Sequence, residues 1–72
     1  MKSAAQTEKR LTTREIECLN GLADGLTSDG ISRRLGISVP TVAMHISNAR
    51  RKLNASTREH AVAIALRNAL LK

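Results

Sequence analysis

The sequence predicts an all-α domain, a four-helix bundle-like fold that contains a helix-turn-helix. Three observations point to it. Apolar residues recur at helical spacing in four stretches, and no stretch alternates with a strand's period. Hydroxyl residues stand at N-cap positions before each stretch. Glycine or asparagine closes the first three. The helices are expected at about 13–24, 28–35, 39–54 and 57–71.

The first helix opens at Thr12-Thr13-Arg14-Glu15, which fits a capping box: a hydroxyl, then a carboxylate three residues on. Ile16, Leu19, Leu22 and Ala23 form its apolar stripe, with Cys18 at the edge, and Gly25 stops it. Thr27 caps the second helix. Ile31 and Leu35 are its buried pair, Arg33 and Arg34 point outward, and Gly36 ends it. Ser38 caps the third, with Pro40 in its first turn, where the missing N–H breaks no helical bond. Asn54 and Ala55 make a short break. Ser56-Thr57-Arg58-Glu59 repeats the capping pattern and opens the fourth. Residues 1–10 show no apolar period and read as a linker, leaving 11–72 as the domain.

At 72 residues the chain is one small domain. Such a chain buries only about 60% of its unfolded surface, and a core of this size supplies only about 3–5 kcal/mol. It contains no Phe, Tyr or Trp. Binding of single strands or RNA loops by stacking on aromatic rings is therefore excluded. The lone Cys18 allows no internal disulfide and reads as a small buried hydrophobe. No cysteine–histidine cluster suggests zinc. No apolar run nears the roughly 18 residues of a membrane span, and no nucleophile–base pair or phosphate loop suggests an enzyme. No cofactor or membrane is expected, and a reducing cytoplasm is the default compartment.

The net charge of +6 is unevenly placed. Residues 30–58 hold Arg33, Arg34, Arg50, Arg51, Lys52 and Arg58 and no acid. That is the footprint of a polyanion binder; a solvated basic face is the alternative. Within the segment two short helices meet at the turn Gly36-Ile37-Ser38, the spacing of a helix-turn-helix. Sorting the third helix by face sends Val42, Ile46, Ala49 and Leu53 to the core. If it enters a major groove, Ala43, Met44, Ser47 and Asn48 meet base edges, and Arg50, Arg51 and Lys52 reach phosphates. Met44 suits a thymine methyl. The helix N-terminus offers backbone N–H groups beside the Ser38 and Thr41 hydroxyls. His45 reads as a partly buried histidine making one hydrogen bond, and His60 as exposed, with no partner at metal-ligand spacing. The fourth helix has two apolar stripes. Val62, Leu66, Ala69 and Leu70 form one; Ala61, Ile64, Ala65, Asn68 and Leu71 form the other, which is expected at a dimer interface. Its alternative is closure over the first helix.

LTTREIECLNGLADGLT, ISRRLGISVPTVAMHISNARRKLNAS and TREHAVAIAL, in that order, resemble the LuxR-type (GerE/FixJ-like) helix-turn-helix domain over about residues 11–70. The resemblance implies a DNA-binding domain at the C-terminus of a bacterial transcription regulator. It also implies a homodimer on a two-fold symmetric duplex site, paired through the last helix. Upstream it implies a regulatory domain, such as an acyl-homoserine lactone sensor of quorum sensing or a phosphorylated receiver. Carried over by position, backbone contacts fall on Thr27, Ser38, Thr41, Arg50 and Lys52, and base-reading positions on Ala43, Met44 and Ser47. Ala43 stands where the family usually has a cation, Gly30 where it has glutamate and Ser32 where it has alanine. Two alternatives compete: a sigma-factor-like promoter-reading segment partnered with RNA polymerase, and a protein-interaction or antiactivator module that no longer reads DNA.

Overall fold

The computed structural model describes residues 10–71, so residues 1–9 of the expected linker and Lys72 lie outside it. Four α-helices follow one another: α1 Thr13–Ala23, α2 Ser28–Leu35, α3 Val39–Lys52 and α4 Arg58–Arg67. The first two match the sequence expectation to within one residue. The third is two residues shorter, and the fourth starts one later and ends four earlier.

Each helix begins at the hydroxyl its sequence offers. The Thr12 side chain accepts from the Glu15 N–H at 3.1 Å, and the Glu15 carboxylate accepts from the Thr12 N–H at 2.9 Å. This closes the capping box of α1. Thr27, Ser38 and Thr57 accept from the N–H groups of Gly30, Thr41 and His60. At α4 the cap is Thr57 rather than the Ser56 of the expected Ser56–Glu59 box, and the preceding Ser56 N–H donates to His60 Nδ1 at 3.1 Å. His60 is exposed, as expected.

The four helices end alike. Gly25, Gly36, Asn54 and Ala69 have positive φ. The N–H of the next residue reaches back five positions, from Leu26 to the Gly21 carbonyl, Ile37 to Ser32, Ala55 to Arg50 and Leu70 to Ala65. This is the Schellman arrangement, which satisfies carbonyls the helix leaves open. It explains the early end of α4. Leu70 and Leu71 continue the apolar period in sequence, but the chain has already turned at Ala69.

The core has two lobes. One gathers Leu11, Leu19, Ala49, Ala55, Ala61 and Ala65, joining α1, α3 and α4. The other gathers Cys18, Ile31, Val42 and Ile46, joining α1, α2 and α3. Leu22 packs against both, and α3 contributes to both. Cys18 is fully buried, as its reading as a small buried hydrophobe expects, whereas Ala23, placed on the apolar stripe, is exposed. Burial pushes the Cys18 thiol pKa up, which keeps it protonated and unreactive.

The α2–α3 turn is held from both sides. Gly36 takes φ 69°, open to glycine without strain. The Ser32 hydroxyl donates to the Ile37 carbonyl. An alanine there could not make that bond. On the far side of α2, the fit to α1 depends on Gly21, where a Cβ would fall 2.6 Å from Ile31 Cγ1. Among the described residues no helix is long and apolar enough to cross a membrane.

Candidate nucleic-acid interface

α3 is presented by the rest of the fold. Val42, Ile46 and Ala49 fix one face in the core. The opposite face is open: Pro40, Ala43, Met44, Ser47 and Arg51 are all exposed. Of the four residues expected to meet base edges, Ala43, Met44 and Ser47 stand together on this face. Asn48 lies at its margin, half-buried, and its Oδ1 accepts from Arg51 Nη1 at 3.0 Å. At the N-terminus, the Ser38 and Thr41 hydroxyls bond each other at 2.7 Å. Ser38 Oγ also accepts from the Thr41 N–H at 3.2 Å. Thr27 is exposed at the start of α2, its hydroxyl capping Gly30 at 3.2 Å.

The cations divide. Arg51 is exposed at the end of α3. Arg50 is half-buried, donates to the Ala55 carbonyl at 3.3 Å, and lines a shallow groove of about 290 Å³. Ser28, Ser47, Thr57 and Arg58 line it too, so the N-terminal ends of α2 and α4 both border the groove. Lys52 is different. Its ammonium donates to Glu15 at 3.0 and 3.1 Å and to the Arg10 carbonyl at 3.2 Å. The Glu15 side chain is only 3% exposed and that of Lys52 19%. The expectation that Lys52 reaches phosphate is therefore corrected: its charge is spent inside the fold, neutralising a buried carboxylate. Burial alone raises the Glu15 pKa, but the Thr12 N–H and Lys52 outweigh it, and the net shift is downward.

His45 is half-buried on the margin of the core face, as expected, but among the described residues it has no hydrogen-bond partner.

A capped pair of short helices, presenting a third-helix face beside an acid-free basic segment, is the geometry of a helix-turn-helix domain. The profile described as "Bacterial regulatory proteins, luxR family" matches residues 9–65. The chain belongs to the LuxR family. Its relatives include the HTH-type quorum sensing-dependent transcriptional regulator VjbR of Brucella ovis, 43% identical over 90% of this chain and 25% of that protein. The transcriptional activator protein LuxR of Aliivibrio fischeri is 43% identical over 78% of this chain and 22% of its own length. The transcriptional regulatory protein LiaR of Bacillus subtilis is 40% identical over 93% and 32%. The chain thus spans about a quarter to a third of the length of these regulators.

In this LuxR-family domain the fourth helix faces the other way from the sequence expectation. Ala61 and Ala65, expected at a dimer interface, are fully buried in the core. Ile64 and Leu71 pack against that core, and of the five only Asn68 is exposed. The cause is size. Two alanines four residues apart form a flat stripe that lets α4 lie close to the neighbouring helices. The bulkier Leu66 and Leu70 are left outside, 51% and 39% exposed. Val62 and Leu66 also border an open groove of about 410 Å³ with Leu22 and Leu26.

Several contributors escaped the sequence reading. Arg58 was counted only as charge, although its place in a capping segment beside Arg50 could have flagged the groove. Ser32 was read as merely small. Nothing in the local sequence marks Gly21 as the contact for Ile31.

Proposed function

We propose that this domain binds double-stranded DNA sequence-specifically, as the output domain of a bacterial transcription regulator acting in the cytoplasm. The carrying observation is that the outward face of α3 lies within residues 30–58, which contain six cations and no acid. α3 enters the major groove, with Ala43, Met44 and Ser47 toward base edges and Asn48 at the margin. Arg50, Arg51 and Arg58 take phosphates, supported by the first turns of α2 and α3 at Thr27, Ser38 and Thr41. The protein acts as a homodimer on a two-fold symmetric site. The contact is made by Leu66 on α4 and Leu70 just beyond it, because those apolar side chains are left exposed. The upstream input is of the quorum-sensing or response-regulator type; the name of VjbR favours the first.

The test is the salt dependence of duplex binding. Each phosphate neutralised by a cation releases counterions, so log K falls linearly with log salt, by about 0.9 per phosphate. Binding that is flat with salt would refute the reading.

A further inference from the structure

The open face of α3 is apolar in its first two turns. Pro40, Ala43 and Met44 are exposed there. Met44 is one of the four large apolar side chains left exposed among the described residues, at 50%. The polar groups nearby are partly engaged, though among the described residues the Asn48 amide N–H groups at the margin are not. Ser38 bonds Thr41, and Asn48 accepts from Arg51. Among the described residues, Ser47 alone offers that face a hydroxyl with no partner. The face therefore has little with which to read hydrogen-bonding base edges.

The surrounding charge says what covers it. An apolar patch inside a segment of six cations and no acid is complementary to a polyanion with an apolar feature. In a major groove that feature is the C5-methyl group of thymine. 5-Methylcytosine presents the same methyl at the same ring position.

We propose that this face recognises pyrimidine C5-methyl groups, with Met44 as the principal contact and Ala43 beside it. This rests on the reading that α3 enters the major groove. Met44 has a long, unbranched and polarizable side chain, which can follow a methyl displaced by DNA twist. Ala43 is short and brings the helix closer. Affinity then depends on methyls rather than on base identity as such. A thymine stripped of its methyl becomes a weaker site, and a cytosine that gains one becomes stronger. Binding is consequently sensitive to cytosine C5 methylation.

The experiment begins by selecting duplexes from a random pool with the full chain. In the preferred duplex each thymine is replaced singly by deoxyuridine. Separately, cytosine or 5-methylcytosine, paired with guanine, is placed at the sensitive positions. Kd is measured for the native chain and for Met44→Ala. The native chain should lose about fourfold in affinity at one or more deoxyuridines per half-site, the value of one buried methyl. It should prefer 5-methylcytosine to cytosine there by a similar factor. Met44→Ala should remove the discrimination at one such position, with an unchanged unfolding midpoint because Met44 packs into no core. Specific binding that ignores every methyl overturns the proposal while leaving DNA reading intact. So does discrimination that survives Met44→Ala at every position. A pool from which nothing is enriched overturns both.

Discussion

Arg50 and Lys52 sit two residues apart on α3 and carry the same charge, yet their surroundings give them different work. Arg50 borders the groove beside Ser47 and Arg58, whereas Lys52 turns back to Glu15 and the Arg10 carbonyl. Lys52→Ala leaves a nearly buried carboxylate without its counter-charge. It should destabilise the domain by about 2–3 kcal/mol, below the range for a fully buried pair because Lys52 keeps some exposure. Urea unfolding would measure this. The salt slope of DNA binding, taken where the variant is folded, should not change. The same pair predicts an acid limb. The Glu15 pKa is lower in the fold than in the unfolded chain, so the fold binds fewer protons at that carboxylate. Its contribution is complete above the ordinary glutamate pKa and lost as pH falls through the lowered one. Unfolding midpoints followed from about pH 6 to about pH 3 should show that loss, and Glu15→Gln should flatten it. The sequence could not separate the two cations. A lysine closing a basic helix has the same local signature whether it faces a phosphate or a carboxylate 37 positions away in the chain.

Helix starts were legible and helix interiors mostly so, because caps and apolar periods are written locally. Thr12, Thr27, Ser38 and Thr57 all serve as N-caps. The ends were harder. Glycine announces a left-handed residue at Gly36, but nothing announces one at Ala69, where the Cβ makes that conformation costly. The exposed and buried faces of α4 were exchanged for a related reason. Hydropathy ranks leucine above alanine, whereas a close helix crossing selects the smaller side chain. Gly21 is the sharpest case. By propensity alone, Gly21→Ala inside α1 should gain about 1 kcal/mol. The added Cβ, 2.6 Å from Ile31 Cγ1, must instead push a fully buried, branched side chain or part α1 from α2. A net loss of about 1–3 kcal/mol is expected. A calorimetric midpoint below that of the native chain would bear this out, and a higher one would contradict it.

At the scale of the molecule, α3 joins both lobes of the core, and its open face looks away from both. A domain this small leaves few surfaces unaccounted for. Among the described residues, exposed apolar side chains also stand at Leu66 on α4 and at Leu70 just beyond it. Leu66→Asp should leave the unfolding midpoint nearly unchanged, because the side chain is already half in water. On a two-fold symmetric duplex it should weaken binding by about tenfold or more, while on an isolated half-site it should bind like the native chain. Equal affinity for both duplexes in the native chain would remove α4 from the pairing role. The fold class, the domain's basic side and the outward residues of α3 were legible because each depends on spacing along one stretch. What covers α4, and what neutralises Glu15, depends on residues brought together from distant parts of the chain. The open face has a last property. Among the described residues Ala43, Met44 and Ser47 are bonded to no other side chain, and none belongs to either lobe. Substitutions at distant, uncoupled positions add rather than interfere. Replacing these three is thus separable from Gly21, Ser32 and the Glu15–Lys52 pair. The residues proposed to read DNA stand on one side and the chassis on the other, so a lineage can rewrite the first without rebuilding the second.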